Sequence, residues 1–271
     1  MQRLILRKPV VLSGPNFIGG PGKIELTPAQ FSGWYWRFDR HNDLLPINLI
    51  CAGPEGLWHN ITLHHGLHQL AIYEHVGVLQ WGLDRVIVSS TVLPPYHGRA
   101  GDLWGAVKQF GDCSLSPHNT IWATGGSSVH IEHPKIDGGY IHFVPSNLPR
   151  LRVKIFIDYP GLGAHTLEWS SEKDGIDEIV SAFSQGWPPS RRAWAERFHW
   201  PHQSHVTWPQ DYDAPTTLRL FAQHRLADLL GGISLISYDW LLAGDIESYG
   251  AGHPEDLELI KRIAPTLHRI G

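Results

Sequence analysis

The sequence has little cysteine: Cys51 and Cys113 are the only two in 271 residues. They suffice for one disulfide at most. No Cys-x-x-Cys pair exists, so neither a disulfide framework nor a cysteine-based metal cluster is expected. Positive charge is not in excess either, since 22 Lys and Arg stand against 26 Asp and Glu, a net charge of −4 with His neutral. A nucleic-acid surface needs clustered Lys and Arg to replace phosphate counterions, so nucleic acid is not an expected partner. No apolar run approaches the roughly 18–20 residues of a membrane span. The opening "MQRLILRKPVVLSG" is not followed by an apolar stretch of signal-peptide length. The expectation is a cytoplasmic chain without an integral membrane segment. Short repeats and low-complexity tracts are also missing. What is there is a hydrophobic fraction of 42%, enough for a sizeable core, with 18 His and 12 Trp.

The length accommodates one large domain or two of roughly 100–150 residues. Short strand-like runs, "RLIL" and "KIEL", open the chain, and "SGWYWRF" (32–38) alternates as a strand does. A helix is predicted over "HHGLHQLAIYEHVGVLQWG" (64–82), where Leu67, Leu70, Ala71, Val78 and Leu79 form a helical stripe and Gly82 a stop. "DRVIVSS" (84–90) reads as a strand and "DLWGAVKQF" (102–110) as a helix. "GYIHFVPSN" (139–147) closes the first half, with "PSNLPR" as a linker.

The second half has a similar order. "LRVKIFIDY" (151–159) and "HTLEWSS" (165–171) read as strands, and "DGIDEIVSAFSQ" (174–185) as a helix. The Trp-, Pro- and His-rich segment 187–217 reads as irregular. A helix is predicted over 216–230, started by Thr216 or Thr217 after Pro215 and stopped by Gly231-Gly232. "ISLISYDWLLAGDIESYGAG" holds two strands and a turn, and "PEDLELIKRIAPTL" (254–267) is the last helix. The expected fold class is α+β, two similar domains, 1–147 and 148–271, each a β-sheet packed on helices.

Chemistry concentrates in three stretches. In "QHRLADLLGG" (223–232), i,i+4 spacing puts His224 and Asp228 on the helix face that carries Leu220, Phe221, Ala227 and Gly231. An inward His and Asp must be satisfied, because a buried unpaired polar group costs about 1–3 kcal/mol. Either other side chains and backbone satisfy them, or both ligate one cation. In "AIYEHVG" (71–77), Glu74 and His75 are adjacent. With His75 as a third ligand, Glu74 lies beside the cation without ligating it, the place of a general base. The competing reading is an exposed Glu and a packed His. In "YGAGHPEDLELI" (249–260), His253 follows Gly252 at a helix start. A glycine hinge suits a general acid that must reach a leaving nitrogen, and an ordinary turn His is the alternative.

Taken together, these stretches resemble the UDP-3-O-acyl-N-acetylglucosamine deacetylase family, the zinc amidases of lipid A synthesis. The resemblance runs through Glu74-His75, then "WGLDRVIV" (81–88) and the Pro-rich turn "LPPYHGRAGDLW" (93–104). It continues in "HRLADLLG" (224–231) and "GHPEDLELIKRIA" (252–264), and the opening "SGPNFIGGPGKIELTPAQFSGWYWRFD" is also similar. The resemblance implies two α+β domains with a metal site between them. It implies His75, His224 and Asp228 as zinc ligands, Glu74 as base, His253 as acid and a basic residue at Arg225 in the catalytic machinery. Fe2+ also suits a His2Asp set, since metal selectivity follows availability as well as ligands. The implied reaction is attack of water on an N-acyl carbonyl of a small-molecule amino-sugar substrate.

The chain also departs from that family. Arg225 replaces a Lys, with its donors in a planar fork rather than at a point. Gly232 replaces an Asp that orients the acidic His. Arg192-Ala193-Trp194 aligns with an Arg-Thr-aromatic stretch, which removes an oxyanion hydroxyl. The interval "AERFHWPHQSHVTWPQDYDAPTTLRLFAQ" (195–223) is shorter than the family's acyl-chain tunnel element, so that tunnel is expected to be reduced or absent. Trp200, His202, His205 and Trp208 form either an aromatic wall for a sugar ring or a loop packed by its own rings. The leading expectation is a zinc-dependent deacetylase of an N-acetylated amino sugar or sugar nucleotide. The alternatives are the lipid A precursor itself as substrate, and a non-catalytic zinc- or sugar-binding homologue, motivated by Ala193 and Gly232.

Overall fold

The computed structural model describes residues 2–16, 20–38, 43–49, 52–53, 61–71, 73–92, 100–181, 185–187, 205–207 and 212–270. Helices and β-sheets are both present, an α+β composition as expected. The strands, in chain order, are β1 (Leu4–Ile5), β2 (Val10–Pro15), β3 (Pro21–Pro28), β4 (Trp34–Arg37), β5 (Leu44–Pro46), β6 (Ala52–Gly53), β7 (Thr62–His65), β8 (His68–Leu70), β9 (Leu83–Asp84), β10 (Val86–Ser90) and β11 (Ser114–Leu115). They continue with β12 (Ile121–Thr124), β13 (Val129–Glu132), β14 (Tyr140–Pro145), β15 (Leu151–Tyr159), β16 (Gly163–Ser170), β17 (Gln185–Trp187), β18 (His205–Thr207), β19 (Trp240–Leu242), β20 (Gly244–Tyr249) and β21 (His268–Ile270). The helices are α1 (Glu74–Gly77), α2 (Ala100–Phe110), α3 (Ile176–Val180), α4 (Ala214–Ile233) and α5 (His253–Ile263).

One connectivity occurs twice. A five-stranded sheet has the order β2-β3-β10-β4-β5, and a second has β13-β14-β20-β15-β16. In each the third strand listed is antiparallel to the second and parallel to the fourth. Beside each lies a three-stranded sheet whose central strand has one parallel and one antiparallel neighbour: β11-β1-β9 and β19-β12-β21. The strand pairing corrects the expected division at 147/148. Strand β12 pairs with β19 and β21, and β14 pairs with β13 and β20, so residues 121–145 belong with the C-terminal strands. "GYIHFVPSN" therefore belongs to the second five-stranded sheet, beside β13, rather than closing the first half, and the change of partner falls between Leu115 and Ile121.

Strand alternation follows the residues. In β15, Leu151, Val153, Ile155 and Ile157 face the core while Arg152, Lys154 and Asp158 face outward. One hydrophobic cluster runs through both sets of sheets and helices. Trp34, Trp36 and Trp81 are fully buried in it, and the rings of Trp81 and Trp169 meet edge to face at 5.7 Å.

The helix predicted over 64–82 is a hairpin in its first part, through Leu70, and helical only from Glu74 to Trp81. Leu63 and Leu70 pair across β7 and β8 and are buried, while Gly66 takes the turn at φ +57° and Leu67 is 100% exposed. A spacing of seven fits two helical turns, and it also fits opposite positions of a hairpin. Helix begins only at Glu74 and tightens to 3₁₀ over Val78–Trp81.

The second helix also differs at both ends. Asp213, rather than Thr216 or Thr217, is the N-cap of α4; its carboxylate accepts from the Thr216 N–H at 2.9 Å. Gly231 and Gly232 do not stop it. Residues 226–236 are continuously buried, through Ile233 and a 3₁₀ turn over Ser234–Ile236. The glycines serve a close crossing instead: a Cβ on Gly231 would sit 2.0 Å from the Glu74 carbonyl oxygen, and one on Gly77 would sit 2.6 Å from the Gly231 carbonyl oxygen.

Candidate metal centre

The α1–α4 crossing brings the predicted residues together. The tight approach at Gly231 lays the first turn of α1 on α4, one turn beyond Asp228. Trp81 Nε1 donates to the Leu230 carbonyl at 3.1 Å, and the Tyr73 hydroxyl shares a hydrogen bond with Ser234 Oγ at 3.1 Å, which pins the crossing. His75 Nε2 then lies 3.4 Å from Asp228 Oδ1, and His224 Nε2 lies 3.2 Å from Asp228 Oδ2. The ligating atoms of His75, His224 and Asp228 all lie within 4.8 Å of one another.

Glu74 and His253 complete the cluster. Glu74 is 0% exposed; its Oε2 accepts from the Ile61 N–H at 3.0 Å, at the base of the β7–β8 hairpin. Its Oε1 faces His253 Nε2 at 3.8 Å, and that nitrogen is 3.7 Å from Asp228 Oδ2. Gly252, read as a hinge, is tied down, because its N–H donates to Glu255 Oε2 at 2.8 Å. This is one half of a capping box, glycine having no side chain to return the second bond. His253 thus enters α5 from a fastened turn.

The donor set fits a divalent cation. Among the described residues, Asp228 Oδ1 and Glu74 Oε1 are buried and meet no donor in hydrogen-bond geometry, the His75 ring standing 3.4 Å from Asp228 Oδ1. An unsatisfied buried carboxylate oxygen is unfavourable unless a cation or donor meets it. Burial pushes His224 down to about 4, against the pull of Asp228, so the imidazole is neutral at pH 7. Burial opposes ionisation of Asp228, but His224, His253 and His75 outweigh it and hold the carboxyl well below its ordinary value. A neutral imidazole and an ionised carboxylate are the forms that ligate. Burial and then the charge of Asp228 raise the Glu74 carboxyl well above its ordinary value. Burial also lowers His253, with Asp228 and Asp256 pulling the other way.

Arg225 is placed differently from a free catalytic cation. Its Nη1 donates to Asp256 Oδ2 at 2.8 Å and its Nη2 to Asp256 Oδ1 at 2.5 Å, a bidentate pair. Burial works against the Arg225 charge, but Asp256 holds its pKa above the ordinary value. Asp256 escaped the reading of the sequence. Its signal was there, since it heads the buried face of α5 with Leu259, Ile260 and Ile263 at i+3, i+4 and i+7. Ala193, Trp200, His202 and Trp208 lie outside the described residues, as do residues 93–99 of the Pro-rich stretch 93–104, whose remainder enters α2. The backbone of His205 belongs to β18. Cys113 carries a free thiol, and Cys51 lies outside the described residues.

Among the described residues no helix is long and apolar enough to cross a membrane. No model of a known protein family matches the chain, and a search of curated proteins finds no match.

Proposed function

We propose that the chain is a zinc-dependent amidohydrolase that removes the N-acetyl group of an amino sugar or sugar nucleotide, organised as two α+β domains with the metal between them. The carrying observation is one largely buried cluster, open to solvent at His224 and His253, in which the His75–His224–Asp228 set is flanked by a carboxylate and an imidazole. The resemblance of the motifs around Glu74, His224 and His253 to the zinc deacetylases supports the same reading.

His75, His224 and Asp228 would hold the cation. When bound, such a cation polarises a carbonyl and acidifies water. Glu74 supplies the base. Its free Oε1 takes the proton of the attacking water, while the Ile61 N–H holds Oε2 in place. A carboxyl raised by burial is better matched to proton transfer near neutral pH than an exposed one. His253 Nε2 delivers a proton to the departing amine, so that the C–N bond breaks to a neutral leaving group. The short interval between residues 195 and 223 favours an acetyl group over a long acyl chain. Arg225, engaged by Asp256, serves the site as support rather than as a free anion clamp.

The test combines metal analysis with a panel of N-acetylglucosamine, its uridine diphosphate derivative and a β-hydroxyacyl UDP sugar, read by release of free amine. One equivalent of zinc and turnover of an N-acetyl substrate are expected, with Glu74→Gln retaining zinc and losing turnover. Turnover of the long-acyl substrate alone would favour the lipid A precursor. Bound zinc without hydrolysis across the panel would leave a binding homologue, and a protein without affinity for zinc would overturn both.

A further inference from the structure

Arg225 and Asp256 form a pair whose burial needs a reason. Asp256 is 0% exposed, and the Arg225 side chain only 13%. Burying two charges costs several kcal/mol per ion before their attraction returns it, and apolar residues of similar volume often serve stability as well. The position of the pair suggests what it does instead. Arg225 directly follows His224 on α4, and Asp256 lies one turn into α5 from His253. The guanidinium fork thus ties the helix carrying two metal-ligand candidates to the turn carrying the proton donor. Arg225 Nη2 also reaches Ser248 Oγ at 3.4 Å, which brings β20 into the same tie.

Nothing on the His253 ring does this work. Its Nδ1 is buried and has no hydrogen-bond partner among the described residues, and its Nε2 stands 3.7–3.8 Å from the two carboxylates, beyond hydrogen-bond reach. The ring is therefore aimed by its backbone. Gly232 lies at the same helix contact, where a Cβ would meet Asp256 Cβ at 3.6 Å, an ordinary van der Waals distance, so α5 is seated on α4 beside the pair.

We propose that Asp256 is a positioning residue which, through its bidentate pair with Arg225, sets His253 Nε2 over Glu74 and Asp228. This rests on the reading of His253 as the proton donor to the leaving amine. The pair acts through the first turn of α5 and touches no reacting atom.

Three variants test it: Asp256→Asn, Arg225→Lys, and the apolar double variant Arg225→Met with Asp256→Leu. All are expected to bind one equivalent of zinc. In each, kcat should fall by about 10- to 100-fold, the usual effect of removing a partner of this kind, with KM changed less than about twofold. The double variant should keep the thermal midpoint, which separates position from stability. A kcat within about twofold of wild type in Asp256→Asn overturns the proposal, and so does loss of zinc, which would make the pair a support for the ligands. A crystal structure of Asp256→Asn decides it independently of turnover. His253 Nε2 should move from its place, and a ring within about 0.5 Å of the wild-type position overturns the proposal even if the parent protein hydrolyses nothing.

Discussion

Replacing Gly231 by Ala sets two well-known effects against each other at the point where the cluster is assembled. By helix propensity alone, Ala in place of Gly in the interior of α4 stabilises by about 0.8–1 kcal/mol. By packing, the new methyl would lie 2.0 Å from the carbonyl oxygen of Glu74 and 2.6 Å from its carbonyl carbon. Both are backbone atoms, so no side chain can rotate away. The helices must part by about 1 Å before the contact is tolerable, and overpacking of this kind costs about 1–3 kcal/mol. The packing effect wins, and the thermal midpoint should fall by a few degrees in a chain of this size.

Metal binding should suffer more. Zinc sites tolerate departures of only about 0.2 Å in bond length. A shift of α1 by about 1 Å carries His75 away from Asp228 and His224, and Glu74 with it. Zinc affinity measured by competition with a chromophoric chelator should fall by more than about 10-fold. Gly105→Ala is the control, because Gly105 is exposed in α2 and its Cβ would meet nothing within 4 Å. It should gain about 1 kcal/mol and leave zinc untouched. A Gly231→Ala protein with wild-type midpoint and zinc affinity would refute the crossing as the device that assembles the site.

Asp228→Asn keeps the shape but removes the charge shared by His75, His224 and His253, and it should abolish stoichiometric zinc binding on elemental analysis. Metal-free protein should lose stability as pH falls from about 6.5 to about 4. His224 is lowered to about 4, so the unfolded chain takes up a proton over that window and the folded one does not. The loss is at most about 3 kcal/mol, reduced because 22% of the side chain meets solvent, and urea titrations at several pH values would measure it. Because Glu74 acts with the opposite sign in part of that window, the test uses the Glu74→Gln background, where denaturation midpoints independent of pH would contradict it. Glu74 has the opposite sign: its folded pKa is raised, so its ionisation weakens metal-free protein as pH climbs above about 4.5. Glu74→Gln should therefore be more stable than wild type at neutral pH without metal while losing turnover, a site residue held at the expense of stability.

Much of this molecule follows from local pattern. The alternation of β15, the helix carrying His224 and Asp228, and the last helix were all legible, because side-chain periodicity and i,i+4 geometry act within a few residues. The three polar stretches of the site were legible too, as residue types that no apolar face accommodates without a reason. Other features needed the tertiary structure, and in all but the first of them the deciding contact lies far away in sequence. Leu63 and Leu70 are compatible with helix or hairpin until β6 pairs with β7. The division between the two sets of sheets shifts because β12 finds β19 and β21 more than 100 residues later. Gly231 reads as a helix stop until the Glu74 carbonyl occupies the space of its missing Cβ. Asp256 reads as a solvated first-turn acid until Arg225 arrives from another helix. Sequence determined which groups could do chemistry. Tertiary structure decided which of them meet, because a buried ligand or ion pair depends on backbones approaching to within fractions of an ångström, and no local rule specifies that distance.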